Sequence, residues 1–170
     1  MDFLTLAYER YSCRSFLPSP IEQEKIDRII DAAIAAPTAV NYQPFKIWMI
    51  QGPENIEKVA QTTQYTFCAP MIFVVGGKAD EAWVRKYDGK NFVDIDASIV
   101  ATHMMLEIHE LGLGTTWVGS FDEEKLKCLF PALNGYHIVA LFPTGYPSET
   151  AHPSKLHTIR KDRATLVDVL

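Results

Sequence analysis

Hydrophobic positions along the chain alternate between helical spacing and short apolar runs. Residues 2–11 carry Phe3, Leu4, Ala7 and Tyr8 on one face, which predicts a short helix. Residues 12–18 read as an extended loop. Ser19-Pro20-Ile21-Glu22 has capping-box spacing with proline at the first helical position, and Ile26, Ile29, Ile30, Ala33 and Ile34 follow at helical spacing until Pro37. Residues 45–51 predict a strand, and residues 53–62 a short helix. Residues 71–77 form a continuous apolar, β-branched run, which predicts a strand buried on both faces. Residues 78–92 read as a loop with a helical turn near 81–87. Residues 94–111 predict the longest helix, apolar on most sides and therefore central. Gly112 and Gly114 break it. A strand over 115–118, a helix from Phe121 to Phe130 and a strand over 136–142 complete the pattern before a polar tail from Ser148. Alternating helices and strands predict helices packed on a sheet, within one domain spanning residues 1–170.

Composition narrows the class. Hydrophobic residues make up 48% and charged residues 22% of the 170, which excludes intrinsic disorder. Lys+Arg number 16 against 21 Asp+Glu, a net charge of −5, which is the wrong sign for a non-specific nucleic-acid binder. Three cysteines cannot build a disulfide framework and point to a reducing compartment. No run approaches the ~20 apolar residues of a membrane span. The N-terminus has Asp2 in place of a leading cation, unlike a signal peptide. The expectation is a cytoplasmic protein with neither a membrane nor a nucleic-acid partner.

Most catalytic patterns fail on context. Gly112-Leu113-Gly114 follows a helix and precedes a strand, the reverse of a dinucleotide-binding fingerprint. His103 and Glu107 share a helix face, but His109 points about 240° round from His103, so the set predicts no metal site. Cys13 has no identifiable base, and Ser12 lacks the glycines of a nucleophile elbow. Two features remain. Arg10-Tyr11-Ser12-Cys13-Arg14 places two guanidinium groups around a hydroxyl, a pattern suited to phosphate oxygens. Ala36-Pro37-Thr38-Ala39-Val40-Asn41-Tyr42-Gln43-Pro44 brackets one hydroxyl and two amides between prolines. Such amides can read a polar heterocycle edge, although ordinary turn chemistry explains the segment taken alone.

These residues resemble, in order, the signatures of the FMN-dependent nitroreductase family in its short form. Arg10-x-Ser12-x-Arg14-x-Phe16 is similar to its phosphate-binding motif. Ala36-Pro37-Thr38-x-x-Asn41-x-Gln43-Pro44 is similar to its A-P-S-x-x-N-x-Q-P segment. Leu111-Gly112-Leu113-Gly114, Trp117-Val118-Gly119 with Phe121-Asp122, Gly145-Tyr146-Pro147 and Arg160-Lys161 follow in the family's order.

The resemblance implies an α+β fold: a three-layer α/β/α sandwich around a mixed, largely antiparallel sheet, as an intertwined homodimer. It implies bound FMN, with NAD(P)H as a transient donor and ping-pong reduction of nitroaromatics, quinones or related flat acceptors. The chemistry would be carried by the flavin N5, with no catalytic side chain. A non-catalytic flavin store or sensor of the same fold is the alternative. Arg10, Tyr11, Ser12, Arg14 and Arg160 would surround the phosphate and ribityl end. Pro37, Thr38, Asn41 and Gln43 would approach from the partner subunit. Trp117 and Val118 would pack on the ring, with the N–H groups of Gly119 and Ser120 at N5 or O4. Gln64 would read the pyrimidine edge. Thr158 stands where some members have a lysine, and the segment between Gly76 and Ile95 is short for the family.

Overall fold

The computed structural model describes residues 2–170. Its elements run α1 (Phe3–Glu9), α2 (Gln23–Ile34), β1 (Phe45–Gln51), α3 (Pro53–Ala60), β2 (Met71–Gly77), α4 (Val93–Glu110), β3 (Gly114–Thr115), α5 (Glu123–Leu129) and β4 (His137–Gly145). Single 3-10 turns lie at Ala39–Asn41, Pro131–Leu133 and Arg163–Thr165.

The apolar run at 71–77 becomes β2, and every residue of it is buried. Successive side chains of a strand point to opposite faces. Met71, Phe73 and Val75 join Ala140 and Phe142 of β4 in a cluster with α2 and α4. Ile72 and Val74 join Ile138 and Leu141 in a second cluster, with Val59 of α3 and Leu126 of α5. Helices therefore cover both faces, which is why the strand lacks polar alternation. The sheet order is β1-β2-β4-β3. All three ladders are antiparallel. The parallel component of the expected mixed sheet is confined, among the described residues, to an isolated bridge between Ser12 and Thr115.

Helix α4 buries Val93, Ala97, Val100, Ala101, Met104 and Ile108, along with Asp96. Ile99 and Met105 pack partly against the same cluster. Gly112, at φ +73°, ends the helix in the left-handed region. Its N–H donates to the carbonyl of His109 (2.9 Å), and that of Leu113 to Ile108 (3.0 Å). This is a Schellman termination, which glycine adopts at least cost.

Four boundaries differ from the sequence pattern. α2 starts at Gln23, and its N-cap Glu22 makes no side-chain capping bond. The Glu22 carboxylate instead accepts from the Tyr146 hydroxyl at 2.5 Å, so a tertiary bond takes the group that a capping box at Ser19 needs. The predicted turn at 81–87 is replaced by a small hairpin, with Arg85 N–H donating to Lys90 C=O at 2.9 Å. Trp83 packs edge-on against Phe92 there, with ring centroids 4.7 Å apart. The strand predicted over 115–118 is shorter, and Val118 joins the sheet only through a bridge to Leu141. β4 continues through Pro143, whose carbonyl accepts from the buried Thr115 hydroxyl at 2.8 Å.

Phe73 is fully buried. Phe73→Ala should cost about 3–5 kcal/mol through lost burial and a residual cavity, read as a lowered urea midpoint with an unchanged slope.

Candidate functional site

The Arg10–Arg14 segment lies alongside β3. Cys13 N–H donates to the Thr115 carbonyl at 2.9 Å. Close approach demands glycine in the strand, because a Cβ on Gly114 would sit 2.7 Å from the Cys13 Sγ. Cys13 is buried, Cys68 and Cys128 are exposed, and all three are free thiols.

Tyr11 draws the tail back to this segment. Its ring meets His109 of α4 and His157 of the tail edge-on, each at 6.4 Å between centroids. Arg160 donates to the carbonyls of His157 (2.5 Å) and Ile159 (2.9 Å). Burial, and then the charge of Arg160, push the pKa of Arg10 below its ordinary value. Burial, and then the Cys13 thiol, push the Tyr11 phenol upward. Among the described residues no carboxylate forms an ion pair with Arg10 or Arg160. Two guanidinium groups brought together, one half-buried, are a natural receptor for an anion with several oxygens.

Four residues on, Arg14 lines a cavity of about 260 Å³ with Tyr65, Phe67, Thr116, Trp117, Val118, Gly119 and Ser120. A neighbouring hollow of about 620 Å³ shares Tyr65, Gly119 and Ser120 and adds Thr63 and Gln64. Val118 is anchored by reciprocal backbone bonds to Leu141 at 2.9 and 3.0 Å. Trp117 stands edge-on to Phe142 at 5.1 Å and leaves about a third of its surface exposed. The Thr63 hydroxyl donates to the Ser120 carbonyl at 2.7 Å, which fixes the turn after Val118. The N–H groups of Gly119 and Ser120 have no hydrogen-bond partner among the described residues. Gln64 donates to the Tyr65 hydroxyl at 2.9 Å. In an extended chain Arg10 and Arg14 are at most about 13 Å apart. The site therefore has an anion-receptive end and an aromatic end, joined by one stretch of backbone.

The segment 37–43 lies elsewhere. Val40, Asn41 and Gln43 all have left-handed φ angles, +55°, +56° and +52°. Gln43 N–H donates to the Thr38 hydroxyl at 3.0 Å, and the Gln43 amide to Asn41 Oδ1 at 3.2 Å. The loop is tied to α4 by Ala39 N–H, which donates to Asp96 at 2.8 Å. Asp96 and His109 are thirteen residues apart on α4, about 20 Å along the axis. Within one chain, then, Pro37, Thr38, Asn41 and Gln43 lie at the opposite end of α4 from Arg10, Tyr11 and Arg160. Ser12, Arg14, Trp117, Val118, Gly119, Ser120 and Gln64 lie along the Arg10 side.

The nitroreductase family's sequence model matches residues 7–66 and 61–146, most of the chain. The chain belongs to the nitroreductase family. A relative from Methanothermobacter thermautotrophicus, provisionally named NADH dehydrogenase/NAD(P)H nitroreductase, is 30% identical over 88% of this chain and 79% of its own. The crystal structure of a nitroreductase family protein from Clostridium difficile 630 is 35% identical, with a TM-score of 0.91 over 99% of this chain and 98% of that one. A structure from Exiguobacterium sibiricum, provisionally described as a nitroreductase and solved with FMN, shares the fold at 18% identity, with a TM-score of 0.84 over 100% of this chain and 98% of that one.

Several lining residues carry no sequence signal. Phe67 reaches the cavity through a left-handed backbone, φ +51°, beside Cys68 at +54°. His157 and Tyr65 stand in no recognisable pattern, and His109 had suggested only an unconvincing metal ligand. No group of three or more metal-ligating side chains is present among the described residues. Glu107 is paired with Arg28 at 2.7 Å.

His109 also generates a pH dependence. Burial pushes its pKa below 6.5, with Arg10 and His157 adding to the effect against Glu9 and Glu110. On acidification the unfolded chain gains this proton first. The stability from neutral burial is present above about pH 6.5 and is lost as pH falls through the lower folded value. Urea midpoints should therefore fall below pH 6.5, and His109→Gln should flatten that fall.

Proposed function

We propose that this protein is a homodimeric FMN-dependent oxidoreductase. In this reading it passes electrons in ping-pong fashion from NAD(P)H to flat acceptors such as nitroaromatics and quinones. The observation that carries the reading is the tail held on Tyr11 through His157, with Arg160 bonded to the His157 carbonyl, which brings a second guanidinium towards Arg10 one short segment away from the Trp117–Ser120 cavity. A ligand with an anionic end, a short chain and a flat ring matches that spacing, and FMN has those parts. The named cofactor of the Exiguobacterium sibiricum protein agrees with this.

Bound FMN supplies the hydride and electron chemistry at its ring, while the protein supplies placement and charge. Arg10 and Arg160 would hold the phosphate, with the Ser12 hydroxyl as a neutral donor. Tyr11, edge-on to both His109 and His157, keeps the tail at that end. Arg14 would place positive charge near the ring, where it favours the anionic reduced state. Gly119 and Ser120 line the same cavity, and their N–H groups, without a partner among the described residues, are suited to a ring acceptor atom. Trp117 forms an apolar wall, and Gln64 offers an amide at the rim.

The dimer part of the reading rests on two further facts. The two sets of resembled flavin-binding residues sit at opposite ends of α4, so a single flavin would meet both sets only if two copies contribute. Apolar side chains are also exposed at Phe3, Leu4 and Tyr8 of α1, at Val40 and Tyr42, and at Leu166, Val167 and Val169 of the tail. Exposed apolar side chains grouped in these three segments support an interface between copies. With helices on both faces of the sheet, the assembled form would be the intertwined three-layer α/β/α sandwich. No helix is long and apolar enough to cross a membrane among the described residues.

Purified protein should be yellow and should consume NADH or NADPH steadily when a quinone or nitroaromatic is supplied. Flavin-loaded protein that turns over no donor–acceptor pair is the outcome for a flavin store. Arg10→Ala should weaken FMN binding by about 1.5–3 kcal/mol, the loss of a charge-assisted hydrogen bond; fluorescence titration with FMN measures it. Light scattering of the FMN-loaded protein should give twice the chain mass.

A further inference from the structure

Asp96 lies in the first turn of α4 and is only 1% exposed. One carboxylate oxygen accepts from Ala39 N–H at 2.8 Å. The other, Oδ2, is buried and has no hydrogen-bond partner among the described residues. A buried carboxylate with a half-filled shell is costly, and a hydrophobic residue at this position on the buried face of α4 would avoid that cost. The helix N-terminus offsets part of it by favouring negative charge.

What the bond supports is unusual backbone. Ala39 opens the 3-10 turn Ala39–Asn41, whose Val40 is non-helical. Val40, Asn41 and Gln43 are all left-handed without being glycine, each at a steric cost. Their local bonds, Gln43 N–H to Thr38 and the Gln43 amide to Asn41, stay inside the loop. The Asp96 bond is the one side-chain tie from the loop to the helix core among the described residues.

We propose that Asp96 is the positioning residue of the Pro37–Pro44 loop. It accepts Ala39 N–H with a charged oxygen and so pins the strained amides of Asn41 and Gln43 in the geometry that meets a flavin held by the second copy. This rests on the FMN-dimer reading above. An acceptor at this position is the minimum requirement.

Three proteins test it: wild type, Asp96→Ala and Asp96→Asn, each measured for FMN dissociation constant, for the melting temperature of the apo form and for dimer mass. Asp96→Ala should weaken FMN binding about tenfold or more while the apo protein melts near wild type, since the orphaned carboxylate is removed with the bond. Asp96→Asn keeps an oxygen for Ala39 and should recover most of the affinity. Unchanged FMN affinity in Asp96→Ala overturns the proposal, as does Asp96→Asn behaving like Asp96→Ala. A loss of apo stability that accounts for all of the lost binding also overturns it, because the role is then only structural. If Asp96→Ala binds normally while Arg10→Ala does not, the flavin reading stands without this inference. Wild-type protein that binds no FMN removes both.

Discussion

Helix α4 is the rod on which everything else is hung. Its buried side packs Ala97, Val100, Ala101, Met104 and Ile108 against β2, β4 and α2, so it cannot shift without opening the core. At one end Asp96 holds the Pro37–Pro44 loop. At the other, His109 meets Tyr11, and the Schellman turn at Gly112 delivers the chain into β3, which carries the Arg10–Arg14 segment on its edge. The helix thus fixes two chemically distinct ends at a set separation. In the proposed dimer, one flavin meets one end from each chain.

Charge is arranged against the average. The protein carries −5 overall, yet among the described residues no ion pair engages Arg10, Arg14 or Arg160. Arg28 and Lys127, by contrast, are paired with Glu107 and Glu123. Leaving the Arg10–Arg160 pair without a counter-charge costs repulsion and desolvation, which an anionic ligand would reverse. Net charge bears on binding a polyanion spread over the surface, and has no bearing on a single anionic group held locally.

How much of this could be read from the sequence depended on the range of the interactions. β1 and β2 emerge with the predicted residues because apolar periodicity is local and burial enforces it. Ser19 did not cap α2 because a distant hydroxyl, Tyr146, took Glu22. β4 ran past its expected end because Pro143 and Thr144 pair with β2, and Thr144 and Gly145 with β3. The same limit applies to the candidate site. The Arg10-x-Ser12-x-Arg14 spacing and the Trp117-Val118-Gly119 run were visible. A role for Arg160 beside Arg10 was visible only through the family resemblance, since about 150 residues of chain separate them, and the packing of His157 on Tyr11 was not visible at all. Phe67 and Asp96 had no signal at all: the first depends on a left-handed backbone, the second on a buried bond to a loop 57 residues away.

The central claim, that these two ends serve a redox-active flavin, is tested most directly by the visible spectrum of the purified protein under anaerobic conditions before and after NADH or NADPH. The account predicts an oxidised flavin spectrum that bleaches on addition of the donor and returns when a quinone is added. Colourless protein that takes up no added FMN, or a flavin spectrum that neither nucleotide bleaches, would contradict it.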